Sequence, residues 1–306
     1  MSLSRSILLR LSRSPWLAEQ FRRRAFARRA VQRFLPGEEL AAARVASAEL
    51  AKTGTGTVLT QLGEQVRSGA EAEVVRNHYE QIFDQLRDRF LPTHVSVKLT
   101  HLGLDVGREA CAQHVLALAA KAQEEGSFLW IDIEESRYVD ATLEIFRRAR
   151  AERTSVGVCL QAYLRRTPQD LTALLPLSPA IRLVKGAYNE PAEVALPRKK
   201  DVDAQYFTLA VRLLDAAAAG RATAVFGTHD LNLIARIREQ ARARNAVGRY
   251  ETHMLYGVRS EAQRALAAEG EKVRVLISYG SHWFAWYMRR LAERPANVWF
   301  VLRSLF

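Results

Sequence analysis

Cysteine is scarce in this sequence: Cys111 and Cys159 are the only two, and no spaced metal-binding pattern joins them. That excludes a disulfide framework and fits a reducing compartment. Long apolar runs are also missing. The longest are strand-sized, well short of the ~20 residues that span a bilayer. Gly54-Thr55-Gly56-Thr57 is not followed by Gly-Lys-Ser/Thr, and no Gly-x-Gly-x-x-Gly opens a helix, so both phosphate-loop motifs are excluded. No Ser/His/Asp or Cys/His set suggests a nucleophile. His229 and Asp230 are adjacent on one run and do not make a metal site, so no metal is expected. Acids are the last deficit: 33 against 45 basic residues, a formal net charge of +12. Such a balance suits nucleic acid, an anionic membrane surface, or an arginine-rich proteome.

The basic excess is partly localised. Arg5, Arg10, Arg13, Arg22, Arg23, Arg24, Arg28, Arg29 and Arg33 fall in one stretch whose only acid is Glu19. This looks like a mitochondrial transit peptide, yet the pattern runs into Pro36-Gly37-Glu38-Glu39 without a composition break. We read it as a native amphipathic helix, its basic face turned to anionic lipid or to solvent. The expected location is the cytoplasm, with peripheral contact to the inner membrane, ahead of a mitochondrial one. A basic nucleic-acid-binding protein is the non-enzymatic alternative. Against it, the arginines sit on helices, with no recognition motif and no basic loop interleaved with aromatics.

What the chain does have is rhythm. β-branched apolar runs fall at about 94–99, 128–133, 155–160, 180–184, 222–226, 250–255, 273–277 and 297–302, with helix-period segments between them at 107–125, 137–152, 203–219 and 258–269. Strands alternating with helices imply parallel strands and right-handed crossovers. Eight such units give a (βα)8 TIM barrel, with a doubly wound sheet as runner-up. The expected organisation is N-terminal helices over 1–92 packing on a barrel over 93–306, as one structural unit.

Each apolar run is broken by a polar group: Lys98, Asp132, Gln161, Arg182 with Lys185, and Thr228-His229-Asp230. Polar residues of several types at the C-terminal ends of successive strands mark an active-site mouth in this architecture. Near the C-terminus, Arg289 and Arg290 are adjacent on a predicted helix, with Tyr287 one turn before Arg290 and Glu293 one turn after Arg289. Two guanidinium groups about 100° apart on a helix can close on one small anion, and each can donate a bidentate pair of hydrogen bonds. Lys98, Arg289 and Arg290 therefore suit a carboxylate substrate, and Lys185-Gly186-Ala187 suits a phosphate or flavin edge.

Arg182-Leu183-Val184-Lys185-Gly186-Ala187-Tyr188, with the Tyr287 to Glu293 stretch, resembles the FAD-dependent proline dehydrogenase family. The resemblance runs from Leu62-Gly63-Glu64 to the C-terminus and includes Val97-Lys98-Leu99, Asp132, Gln161-Ala162-Tyr163, Gly227-Thr228-His229 and Met254-Leu255-Tyr256-Gly257. It implies a distorted (βα)8 barrel with non-covalent FAD. Proline would be oxidised to Δ1-pyrroline-5-carboxylate, with electrons passed to a membrane quinone. By position, Lys98, Arg289 and Arg290 would bind the substrate carboxylate, and Tyr287, Leu255 and Leu276 would line its pocket. Asp132 would order Lys98, and Arg182 would lie near the flavin N5. Ile133, Gln161, Val184, Lys185, Gly186, Ala187, Thr228 and His229 would hold the cofactor, while Glu64 would gate the site by pairing with Arg289. The chain departs from the family at Val275-Leu276-Ile277-Ser278-Tyr279-Gly280, where members commonly read Val-Tyr-Val-Pro-Tyr-Gly. Leu276 replaces an aromatic that lines the substrate ring, which opens 4-hydroxyproline or another cyclic amino acid as an alternative substrate.

Overall fold

In the computed structural model, which describes residues 31–86, 93–284 and 286–288, eight parallel strands close into a barrel. In chain order they are β1 (Gly56–Gln61), β2 (Thr93–Lys98), β3 (Leu129–Asp132), β4 (Val156–Gln161), β5 (Ala180–Val184), β6 (Thr223–Gly227), β7 (Tyr250–Leu255) and β8 (Val273–Tyr279). Each pairs with its sequence neighbour, and β8 closes on β1 from Gly56↔Arg274 to Gln61↔Tyr279. Closure removes the unpaired backbone groups that an open sheet leaves at its edges. Around the strands lie α1 (Leu40–Ala51), α2 (Gly69–Leu86), α3 (Arg108–Glu124), α4 (Val139–Glu152), α5 (Thr167–Leu174), α6 (Lys199–Ala218), α7 (Leu231–Ala243) and α8 (Ser260–Ala268).

Strand side chains alternate between two environments, as period-2 geometry requires. One set, including Leu59, Val95, Val97, Ile131, Val158, Leu183, Phe226, Val275 and Ile277, forms the main core together with helix residues such as Tyr79, Phe83, Leu118, Phe146 and Leu213. The other set is sparser and more polar. Its apolar part is a plug of Val58, Trp130, Ala180 and Val225, with Phe128 and Leu276 packed on it. Above the plug stand Ser96, Lys98, Asp132, Gln161 and Arg182, and this layer is the candidate site.

The barrel begins earlier than the sequence rhythm suggests. β1 lies inside residues 1–92, the stretch expected to hold helices packing on the barrel, so the expected barrel start at 93 is corrected to β1 at Gly56. Its apolar content is only Val58-Leu59, flanked by threonines and glycines that read as a loop. Thr57 has two partners: Ser47 of α1 at 2.6 Å and Thr93 of β2 at 2.9 Å. A buried hydroxyl chain thus joins α1, β1 and β2 where apolar side chains would otherwise pack. The expected strand at 297–302 lies outside the described residues, as do Arg289, Arg290, Glu293 and the basic segment up to residue 30. No helix among the described residues is long and apolar enough to cross a membrane.

Candidate active site

β2, β3 and β4 end on Lys98, Asp132 and Gln161, so backbone register alone delivers three polar side chains to one mouth. Cα register pairs Lys98 with Asp132 and Ser96 with Trp130. Arg182, 3% exposed, forms a close ion pair with the Asp132 Oδ1 and donates to Ser96 Oγ at 2.8 Å. Ser96 Oγ in turn donates to Asp132 Oδ1 at 3.0 Å. The other Asp132 oxygen faces Lys98 Nζ at 3.9 Å. Asp132 therefore serves two cations, and Arg182, not Lys98, holds it more tightly. The Arg182 guanidinium also stands over the Trp130 ring at 5.0 Å, a cation–π contact. Burial disfavours the Arg182 charge, but Asp132 outweighs it and the guanidinium is held in its charged form, its pKa raised.

Under this layer the barrel is polar too. Trp130 donates from its indole nitrogen to His94 Nδ1 at 3.1 Å and meets the His253 ring edge-on at 5.6 Å. Burial opposes ionisation of Glu251, yet the His253 hydrogen bond and the Arg274 charge keep it well below the usual carboxylate range. Burial holds His253 at about 4, so its imidazole is neutral at physiological pH.

Beyond β5 and β6 the mouth changes character. Val184, the last residue of β5, is followed by Lys185, whose ammonium pairs with Asp203 of α6 at 2.6 Å and Asp230 at 3.1 Å. Asp230 also caps α7 by accepting from the Leu233 N–H. Gly186 has φ +117°, and a Cβ there would meet the Tyr163 ring at 2.2 Å, so only glycine lets the backbone pass that ring. Ala187 follows it directly, and Thr228 and His229 lie just after β6; Thr228 N donates to the His253 carbonyl at 3.2 Å.

Glu134, Thr100, His101 and Ser96 were not picked out as site residues from sequence. Glu134 is buried and accepts from the Thr100 backbone at 3.0 Å and from the Thr100 hydroxyl at 2.6 Å. Burial pushes its carboxyl up to about 7, against the pull of Thr100 and Lys98. Gln161 donates from its amide to the Ile133 and Glu134 carbonyls at 3.3 and 3.1 Å. His101 is held at about 4 by burial and by the Lys98 charge, and its ring packs against Gly63. The signal for Ser96 was its place on the Lys98 face of β2. Glu134 and His101 gave none, because nothing local in the sequence reveals that a charged residue is buried.

The remaining expected residues are placed as follows. Leu255 ends β7 and stands beside Leu276 of β8 in register, and Tyr256 N donates to the Leu276 carbonyl at 3.0 Å. Leu276 also packs on the apolar plug. Glu64 lies just past β1, on a segment tied by Leu62 N to the Tyr279 carbonyl (2.7 Å) and by Val66 N to the Thr100 carbonyl (3.2 Å). Tyr287 is buried against Trp283 and Phe34, both with ring centroids at 6.4 Å. Among the described residues no cluster of three or more His, Cys, Asp or Glu is arranged to hold a metal.

Known proteins resemble this chain over most of its length. A family model described as proline dehydrogenase matches residues 43–303. Proline dehydrogenase 1 of Bacillus subtilis (strain 168) is 35% identical over 303 residues, 98% of each chain. Proline dehydrogenase of Deinococcus radiodurans is 37% identical over 281 residues, 90% of this chain and 89% of that one. Among solved structures, proline utilization A from Bdellovibrio bacteriovorus superposes with a TM-score of 0.79 at 24% identity. That match takes in 85% of this chain but only 32% of that one, and it bears on the fold.

Proposed function

The chain belongs to the proline dehydrogenase family, and from that premise we propose that it oxidises L-proline to Δ1-pyrroline-5-carboxylate by hydride transfer to FAD, with a membrane quinone as final acceptor. Proline oxidation follows from the family; the flavin, the quinone and the residue roles are our reading. The observation that carries it is the set of buried polar atoms left for a ligand at the mouth. Arg182 Nη1 and Gln161 Oε1 are both buried without a hydrogen-bond partner in the structure. A flavin ring edge alternates acceptors with one N–H donor, so a cationic donor and an amide acceptor on neighbouring strands fit it. Lys185 and Gly186, directly after β5, border the rest of such a cofactor.

Within that frame each residue takes a role. A fixed guanidinium at Arg182, held by Asp132 and Ser96 and pressed on Trp130, stabilises negative charge without reorganising. Lys98, with Arg289 and Arg290 from the C-terminal segment, takes the substrate carboxylate. Hydride leaves C5 only when the ring nitrogen can push its lone pair, which needs the neutral amine. A pocket lined by Lys98 and Arg182 favours that form by charge repulsion. Leu255 and Leu276 wall the ring, while Ile133, Val184, Ala187, Thr228 and His229 border the cofactor, and Glu64 gates entry by pairing with Arg289.

The test is a visible spectrum of the purified protein, followed by anaerobic addition of L-proline. A flavin band that bleaches supports cofactor and substrate together. A protein that cannot be loaded with FAD overturns the reading. Leu276 carries the second reading: a band that resists proline but bleaches with 4-hydroxyproline would assign that substrate. Arg289→Ala is expected to raise the half-saturating proline concentration roughly 10- to 100-fold, the cost of losing a charged hydrogen-bond donor, with FAD still bound. For the membrane, retention on anionic vesicles at low salt, lost as salt rises, is the expected result.

A further inference from the structure

Residues 33–38 precede α1 and contain no residue of the site described above, yet they touch two of its walls. On one side is the loop after β7. Gly257 there has φ +72°, and a Cβ on it would lie 1.7 Å from the Arg33 carbonyl oxygen. The two backbones meet directly, and only glycine permits it. On the other side is the segment after β8. The Trp283 indole donates to the Glu38 carboxylate at 2.9 Å, although 245 residues separate them in sequence. Phe34 leans on Tyr287 at 6.4 Å and 45°, and Tyr287 meets Trp283 edge-on at 78°. Val31 and Leu35, 4% and 3% exposed, anchor the stretch beneath.

We propose that residues 33–38 are a strap that positions the substrate pocket, with Glu38 and Phe34 as its positioning residues. The inference rests on reading Leu255 and Tyr287 as pocket walls. Leu255 lies two residues before Gly257, and Tyr287 lies two residues before Arg289 in sequence, so the strap reaches both walls from outside. It binds Tyr287 through rings and holds the preceding Trp283 through a hydrogen bond to an ionised acceptor, the stronger kind. The Arg33 carbonyl sets how closely the β7 loop approaches. Loosening the strap loosens substrate binding, while the flavin side, on β4, β5 and β6, lies elsewhere on the barrel rim. The effect therefore falls on KM and not on cofactor retention.

The experiment uses the full-length holoenzyme with Glu38→Ala, Glu38→Gln, Trp283→Phe and Phe34→Ala. Proline KM, kcat and flavin absorbance per chain are measured for each. Glu38→Ala and Trp283→Phe are each expected to raise KM about tenfold, with kcat within about twofold and flavin content unchanged. Glu38→Gln keeps an acceptor oxygen and should recover most of the loss. Combining Glu38→Ala with Trp283→Phe should cost no more than either alone, since both remove one bond. A KM that stays within about twofold of the parent in all of them overturns the proposal. So does a fall in kcat and flavin content in step with KM, which marks a purely structural contact. Should Phe34→Ala not fold, the Glu38 and Trp283 variants decide alone. If the parent chain holds FAD but does not oxidise proline, the functional reading fails separately. Titration of the flavin spectrum with tetrahydrofuran-2-carboxylate, an inert ring carboxylate, then still tests the strap, and equal affinity in parent and variants overturns it.

Discussion

Asp132 is one carboxylate set against two cations, and removing it leaves Arg182 buried with only a hydroxyl and a ring for company. Stranding a buried charge costs about 3–5 kcal/mol. Asp132→Ala is therefore expected to lower unfolding free energy by about that much in denaturant titration, and Asp132→Ala with Arg182→Met to recover most of it while proline oxidation stays lost. A double variant no more stable than the single one would show that the ion pair is not what Asp132 protects. Glu134 makes a second case. Its carboxyl stands at about 7 in the fold against 4.5 for an ordinary glutamate, raised by burial. Between those values the folded chain keeps a proton that the unfolded chain has lost, so this group's contribution falls as pH rises through the window. His101 and His253, held at about 4 by burial, act in the opposite sense between 4 and 6.5. The difference between Glu134→Gln and the parent isolates the carboxyl: Tm of the variant should gain on the parent as pH goes from 4.5 to 7. A flat difference would mean Glu134 is not titrating there. Strand-end residues such as Lys98, Asp132 and Gln161 were legible in the sequence because each breaks an apolar run. Glu134 was not, since its partners, Thr100 after β2 and Gln161 of β4, are distant in sequence.

At the scale of elements, β2 to β8 were readable from period alone, with ends off by a residue or two, and α3, α4, α6 and α8 with them, α6 starting four residues earlier than expected. β1 was not. Its Thr57 bonds to Ser47 and Thr93, so a polar pattern hides a fully integrated strand. The turn that leaves β1 shows a similar constraint. A Cβ on Gly63 would come within 2.1 Å of His101 Nε2, so the segment bearing Glu64 lies flat on an imidazole. Gly63→Ala is expected to cost about 1–3 kcal/mol by overpacking, and pairing it with His101→Ala to relieve most of that. Thermal unfolding of the two variants reads it directly; equal Tm values would place the strain elsewhere. The arginine pair was equally visible in the sequence, and its two residues lie outside the described part of the chain.

At the scale of the whole molecule, the main core among the described residues runs from Ala43 of α1 to Tyr279 of β8, beside the plug and a smaller cluster of Ile234, Met254, Leu266 and Val273. Leu59→Ala in β1 is fully buried in that core and should cost about 2–5 kcal/mol, whereas Val74→Ala on the exposed face of α2 should stay within about 0.5 kcal/mol. Guanidinium titrations followed by tryptophan emission and by far-UV dichroism would check both. The fold class was legible because eight alternating units admit few architectures. The closing seam was not, because pairing of β1 with β8 is a contact between distant parts of the chain. That seam also has a cost during synthesis. β1 leaves the ribosome roughly two hundred residues before β8, and at about 5–20 residues per second its open side waits for about 10–40 s. For that interval the nascent chain presents a bare strand flank, a template for wrong pairing until β8 arrives to cover it.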